Sequence, residues 1–233
     1  MDLKKLLENM TLVQKAAQMT QLTAQVIDPK NATDPTGPAH ALGLTEKETA
    51  LCGSVFNIES AADRIRIQDE HLAADPNKIP LVFMQDVIHG FRTIYPIPLG
   101  MAASFDPALV RRCAAMAAKE AAVSGIDVTF APMVDISRDA RWGRCMEGAG
   151  EDVYLGCAMA KAQVEGFREG MDGKKIEACV KHFAAYGAGE AGRDYNYADM
   201  SEARLAGSLS GELNFPPGTA RVFAGGAALA AQH

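Results

Sequence analysis

At 233 residues, with 48% hydrophobic and 22% charged residues, the chain has the composition of an ordinary globular protein and is long enough for one large α/β domain. Its net charge of −6 argues against nucleic acid or an anionic membrane surface as a partner. No run of eighteen apolar residues occurs, and the first eight residues, MDLKKLLE, lack the apolar core and small-residue cleavage site of a secretion signal. A soluble, cytoplasmic chain without a membrane partner is the expectation.

The N-terminal stretch 3–19 carries apolar residues at helical spacing (Leu3, Leu6, Leu7, Met10, Val13, Ala17), with Thr11 placed to cap a second turn-in after Asn9. Prolines, glycines and polar residues over 28–45 predict an exposed loop. Residues 51–58 then read as a buried strand, 60–71 as a helix and 79–86 as a second buried strand. Asp106-Pro107 opens an alanine-rich helix that stops at Gly125. A third strand is expected over 128–136, a helix over 151–169 bounded by Gly170, and a fourth strand over 176–186. Such alternation implies a parallel sheet, either closed into a barrel or doubly wound, with ligands beyond the carboxyl ends of the strands. Asp86, Asp135, Lys181 and His182 all fall at such ends.

Cys52, Cys113, Cys145, Cys157 and Cys179 are scattered and odd in number, which fits reduced thiols; Cys52 and Cys179 sit in apolar runs as small buried hydrophobes. The five histidines form no ligand cluster, so neither metal nor cofactor is expected. Gly187-Ala-Gly-Glu-Ala-Gly192 matches G-x-G-x-x-G, yet 193–200 form no amphipathic helix on which a pyrophosphate would rest, and the nucleotide reading is rejected.

The polar groups at the strand ends suit a polyhydroxylated ligand. Asp86 follows an apolar strand, where a buried carboxylate needs donors and vicinal hydroxyls would supply them, or where it caps the next helix. His89 reads as a rim residue holding its loop in preference to a ligand contact. Arg138, Asp139, Arg141, Arg144 and Glu147 crowd together just after a hydrophobic strand, and Trp142 among them either stacks on a ring or guanidinium or anchors the loop. Lys181 and His182 are adjacent, so both serve one ligand only if the backbone there is unusual; otherwise one is buried and one lies at the rim.

In this order and spacing, Asp86-Val-Ile-His-Gly90, 131–136 (APMVDI), Arg141-Trp-Gly-Arg144 through Glu147, Gly150-Glu-Asp152 and Lys181-His-Phe-Ala-Ala-Tyr-Gly187 through 199–201 (DMS) resemble bacterial β-glucosidases of glycoside hydrolase family 3, over about Leu3 to Leu205. The resemblance implies the N-terminal part of an α/β, (β/α)8 TIM-like barrel. It implies a β-glucoside or oligosaccharide as substrate, with Asp86, Arg144, Lys181 and His182 binding the sugar hydroxyls and Glu147 orienting Arg144. Tyr186 and Arg193 are weaker candidates. The β-N-acetylglucosaminidase branch carries Lys-His-Phe-Pro-Gly-His-Gly, whereas 184–187 here read AAYG, which favours the glucosidase branch.

The family is retaining, with an aspartate nucleophile and a glutamate acid/base. Its nucleophile motif, Ser-Asp-His or Ser-Asp-Trp, does not occur in the chain, so no catalytic residue is assigned. Residues 1–205 are expected to form a partial family 3 barrel domain, and 206–233 a divergent Gly/Ala-rich tail of the kind a shifted reading frame produces. The chain is then a β-glucosidase fragment with a glucosyl-binding subsite, or alternatively a non-catalytic carbohydrate-binding piece that needs a partner chain. The sequence sets no oligomeric state.

Overall fold

The computed structural model describes residues 2–27, 46–183 and 185–205. The expected loop over 28–45 and the tail over 206–233 lie outside the described residues. The described residues divide into two compact units, one of those up to Gln85 with Ser124–Ile126, the other of the remaining described residues.

In the first unit the expected N-terminal helix is two: α1, Leu3–Asn9, capped by Asp2, and α2, Leu12–Gln18, capped by Thr11. Thr11 Oγ1 accepts from Gln14 N at 3.2 Å while Gln14 Oε1 accepts from Thr11 N at 2.8 Å, a reciprocal pair that restarts the helix after the break at Met10. The parallel strands β1, Gln21–Thr23, β2, Ser54–Phe56, and β3, Val82–Gln85, pair with Leu22 opposite Val55 and Val55 opposite Phe83. Helix α3, Ala61–Ala74, starts where Ser60 caps Asp63 N. Leu22, Cys52, Val55, Ile58, Ile67, Leu81 and Phe83 form the core beneath it.

The second unit holds α4, Pro98–Ala102, α5, Pro107–Val123, β4, Val128–Thr129, α6, Val153–Glu169, and β5, Glu177–Ala178. Pro107 stands at the first position of α5, and Asp106 Oδ1 accepts from Leu109 N at 3.0 Å. Asp152 likewise caps α6, which Gly170 ends at φ +61°, where a Cβ would run into the Lys174 carbonyl. Between α5 and α6 the surfaces are small: Ala114, Ala115, Ala117 and Ala118 are buried, and a Cβ on Gly166 would lie 2.7 Å from that of Ala114.

β4 and β5 are parallel, Val128 opposite Glu177 and Thr129 opposite Ala178, but far shorter than their apolar runs. Pro132 has no N–H to extend the ladder. Pairing continues through Cys179 N to Thr129 O at 2.8 Å and an isolated parallel bridge of Met133 with Lys181, made by Lys181 N to Pro132 O at 3.0 Å and Val134 N to Lys181 O at 2.7 Å. Those bonds hold 131–135 alongside 179–182. Among the described residues, no helix is long and apolar enough to cross a membrane and no group of His, Cys, Asp and Glu is placed to hold a metal.

Candidate functional site

Each of the residues singled out for sugar binding lies in the second unit. Asp86 follows β3 in sequence, and its neighbour Val87 is buried, with its N–H donated to Thr129 Oγ1 at 3.0 Å. That anchor fixes the backbone and leaves the carboxylate outside. The Asp86 side chain is 49% exposed, so the buried aspartate anticipated from the sequence is corrected: the apolar run ends at Met84, two residues before it. Lys181 Nζ donates to Asp86 Oδ1 at 3.3 Å, from 95 residues further along, and sits 5.7 Å from the Phe130 ring centroid.

Arg144 and Glu147 share the 3-10 turn Gly143–Glu147. The guanidinium donates twice, Nε to Oε1 at 2.7 Å and Nη2 to Oε2 at 2.8 Å, the fork geometry that suits a carboxylate. Against its partial burial, the Arg144 guanidinium holds the Glu147 carboxyl below the usual range, with smaller contributions from Lys181 and His182. Arg144 is in turn raised by Glu147. Arg144 Nη1 reaches Tyr186 Oη at 3.4 Å, and its Cζ stands 5.5 Å from that ring's centroid.

Trp142 is 1% exposed and donates Nε1 to Asp194 Oδ1 at 2.9 Å, so it is a packed anchor of the arginine loop, not a platform for a ligand. Its ring meets Tyr186 edge-on at 5.2 Å, and Tyr186 meets His182 edge-on at 4.7 Å. Burial and the Asp194 carboxylate push the Tyr186 hydroxyl up to about 12, while Trp142 and Tyr186 hold Asp194 down. Arg193 beside it is exposed. The glycine stretch 187–192 makes two 3-10 turns, Tyr186–Ala188 and Glu190–Gly192, with no helix N-terminus to receive a phosphate.

Lys181 and His182 are both partly buried, neither fully in nor fully out, and the peptide bond between them is cis. His182 Nδ1 lies 2.9 Å from Asp135 Oδ2, which also accepts from the His182 backbone N at 3.3 Å. His89, by contrast, places Nδ1 2.8 Å from the Tyr95 carbonyl and ties its own loop. The site therefore gathers Asp86, Arg144, Glu147, Lys181, His182 and Tyr186, and adds Asp194 to the residues the sequence had marked. Only the acidic residue in a Gly-Arg-Asp-Tyr turn could have announced Asp194, since its tryptophan partner is 52 residues away.

A parallel α/β unit with charged and aromatic groups gathered where its strands end is the arrangement of barrel-type α/β enzymes, whose sites lie at that end of the sheet. Residues 11–209 match the glycosyl hydrolase family 3 N terminal domain, and the chain belongs to that family. It therefore carries part of a TIM-barrel-like α/β fold. A periplasmic beta-glucosidase of Salmonella typhimurium is 41% identical over 202 residues, covering 86% of this chain and 25% of that protein. A beta-xylosidase of Formosa agariphila is 34% identical over 139 residues, 58% of this chain and 18% of that one. Among solved structures, a beta-glucosidase from Listeria innocua, determined also with glucose and with gluconolactone, superposes with a TM-score of 0.81 at 44 to 45% identity, over 88% of this chain and 30% of its own. The chain thus spans about a quarter to a third of the β-glucosidases it resembles.

Proposed function

We propose that this chain supplies the glucosyl-binding side of a family 3 β-glucosidase, with residues 1–205 as the barrel-domain part and 206–233 as a divergent tail. Arg144 and Lys181 donate to sugar hydroxyls, Asp86 and His182 complete the polar ring, and Glu147 orients Arg144. The observation that carries this reading is that each of these groups already has a fixed counter-group: Glu147 grips Arg144 with two bonds, Lys181 reaches Asp86, and Asp135 holds His182. Donors and acceptors so held lose little freedom when a polyol arrives. The partly exposed Asp86 carboxylate has one oxygen on Lys181 and presents the other to vicinal hydroxyls.

Retaining hydrolysis needs two carboxyl groups about 5–5.5 Å apart across the scissile bond. On the present reading neither is assigned in this chain, so it binds a glucosyl unit without cleaving it; the alternative is a carbohydrate-binding piece that acts with a partner chain. The test is a titration of the 233-residue chain with glucose and gluconolactone, the ligands of the similar Listeria structures, beside an aryl β-glucoside hydrolysis assay. Expected are saturable binding that Asp86→Ala weakens by about tenfold or more, and no hydrolysis. Turnover abolished by Asp86→Ala would refute the division of labour, and absence of binding in a folded sample would refute the site. Xylose belongs in the same titration because of the Formosa relative, and the greater coverage by the glucosidases favours glucose. The compartment, expected from sequence to be the cytoplasm, is read by cell fractionation against the periplasmic relative.

A further inference from the structure

We infer that Asp135 is a positioning residue that fixes the tautomer of His182, so that Nε2 faces the ligand as a hydrogen-bond acceptor. This rests on the reading that His182 serves a sugar hydroxyl. The Asp135 side chain has no exposed surface, so it cannot touch a ligand itself. Its Oδ2 lies 2.9 Å from His182 Nδ1 and 3.3 Å from the His182 backbone nitrogen. Both approaches come from the same residue, and the backbone one is necessarily a donor. Its other oxygen, Oδ1, is buried and has no partner among the described residues, so nothing there competes with the ring for the carboxylate.

A carboxylate only accepts, so Nδ1 must carry the hydrogen. A neutral imidazole then has its lone pair on Nε2, and an acidic partner setting the tautomer in this way is a general means of fixing histidine's role. Ring orientation is fixed from two further sides. The Tyr186 ring stands edge-on at 4.7 Å and 76°, and the bonds between Lys181 and both Pro132 and Val134 hold the two segments in register one residue before the contact. Among the described residues Nε2 has no hydrogen bond, and the His182 side chain is partly exposed.

The polar groups of the site then divide evenly. Lys181 and Arg144 donate; Asp86 and His182 Nε2 accept. A hydroxyl facing His182 must give its proton, which a fluorine or a methoxy group at that carbon cannot do. The histidine thus selects for a free hydroxyl and not for mere polarity.

The experiment is long-range ¹H–¹⁵N correlation NMR on the imidazoles of the 233-residue chain at alkaline pH, with His182 identified by its loss in His182→Gln. The expected spectrum has the proton on Nδ1 of wild-type His182, and Asp135→Leu, which leaves no acceptor beside the ring, lets it pass to Nε2, the tautomer a free imidazole favours. Glucose affinity then falls by about tenfold, and one position in a deoxyfluoroglucose series loses its intolerance. A proton on Nε2 in the wild type overturns the inference by itself, whether or not the variant folds; so does an unchanged tautomer in a folded Asp135→Leu chain. Correct tautomers without glucose binding would refute the glucosyl site while leaving the Asp135 assignment standing.

Discussion

Replacing Glu147 by glutamine removes one charge and no volume, and its effect follows from the geometry of one turn. Both oxygens of Glu147 are used, at 2.7 and 2.8 Å, and the side chains of Arg144 and Glu147 are only 25% and 20% exposed. Glutamine offers one acceptor and turns an amide N–H₂ toward a second guanidinium N–H, two donors face to face. The remaining contacts of Arg144, Tyr186 Oη at 3.4 Å and Met133 sulfur at 3.2 Å, are neutral and weak. A lost hydrogen bond between charged groups is worth roughly 1.5–3 kcal/mol, and stranding the partly buried guanidinium adds to it. We expect Glu147→Gln to cost about 2 kcal/mol, read by urea unfolding at pH 7. The chain's single tryptophan, Trp142, buried in the same loop, is the probe. The control is Asp139→Asn, which breaks the equally well-formed pair of Asp139 with Arg141, whose side chain is 70% exposed, and is expected to cost well under about 1 kcal/mol. A Glu147→Gln midpoint within error of wild type, at unchanged denaturant slope, would refute the claim that partial burial makes this pair count.

Acidification gives the same pair a second readout. Because Arg144 holds the Glu147 carboxyl down, its stabilisation is complete above the ordinary carboxylate range, about pH 4.3, and is lost as pH falls through the lowered value; the stability gap between wild type and Glu147→Gln should close on the acid side in a series of unfolding curves. Gly166→Ala should destabilise by about 1–3 kcal/mol, since its methyl would press on Ala114 and on the Arg111 carbonyl; helix propensity alone predicts a gain of about 1 kcal/mol, so the sign of the midpoint shift decides. Burial pushes the Cys52 thiol up to about 12, and a colorimetric thiol titration of the native chain should leave it unreacted until denaturant is added.

The long helices were legible because their ends are chemical: Ser60, Asp106-Pro107, Asp152 and Gly170 each satisfy or block a terminal backbone group locally, whereas the five-residue α4, with no side-chain cap, was missed. Strands were over-long, since apolar runs such as 128–136 go on being buried after Pro132 has ended the ladder. β1 was missed, being three residues of which two are Gln21 and Thr23. Within the site, Arg144 and Glu147 announce each other at three residues' spacing. Asp135 with His182, and Trp142 with Asp194, are joined across 47 and 52 residues, and no local pattern carries such pairings.

The bridge from Lys181 to Asp86 has a consequence for how the protein comes into being. A contact closed across 95 residues is paid for in loop entropy before it returns anything. During synthesis, Asp86 leaves the ribosome long before Lys181 is made, and β5 must be laid beside β4 before the lysine can arrive. The arginine turn is complete within five residues, so its two charges can meet early, whereas the pocket as a whole is among the last features to form. Any nascent chain halted between the two positions would carry a finished guanidinium clamp and an unanswered carboxylate.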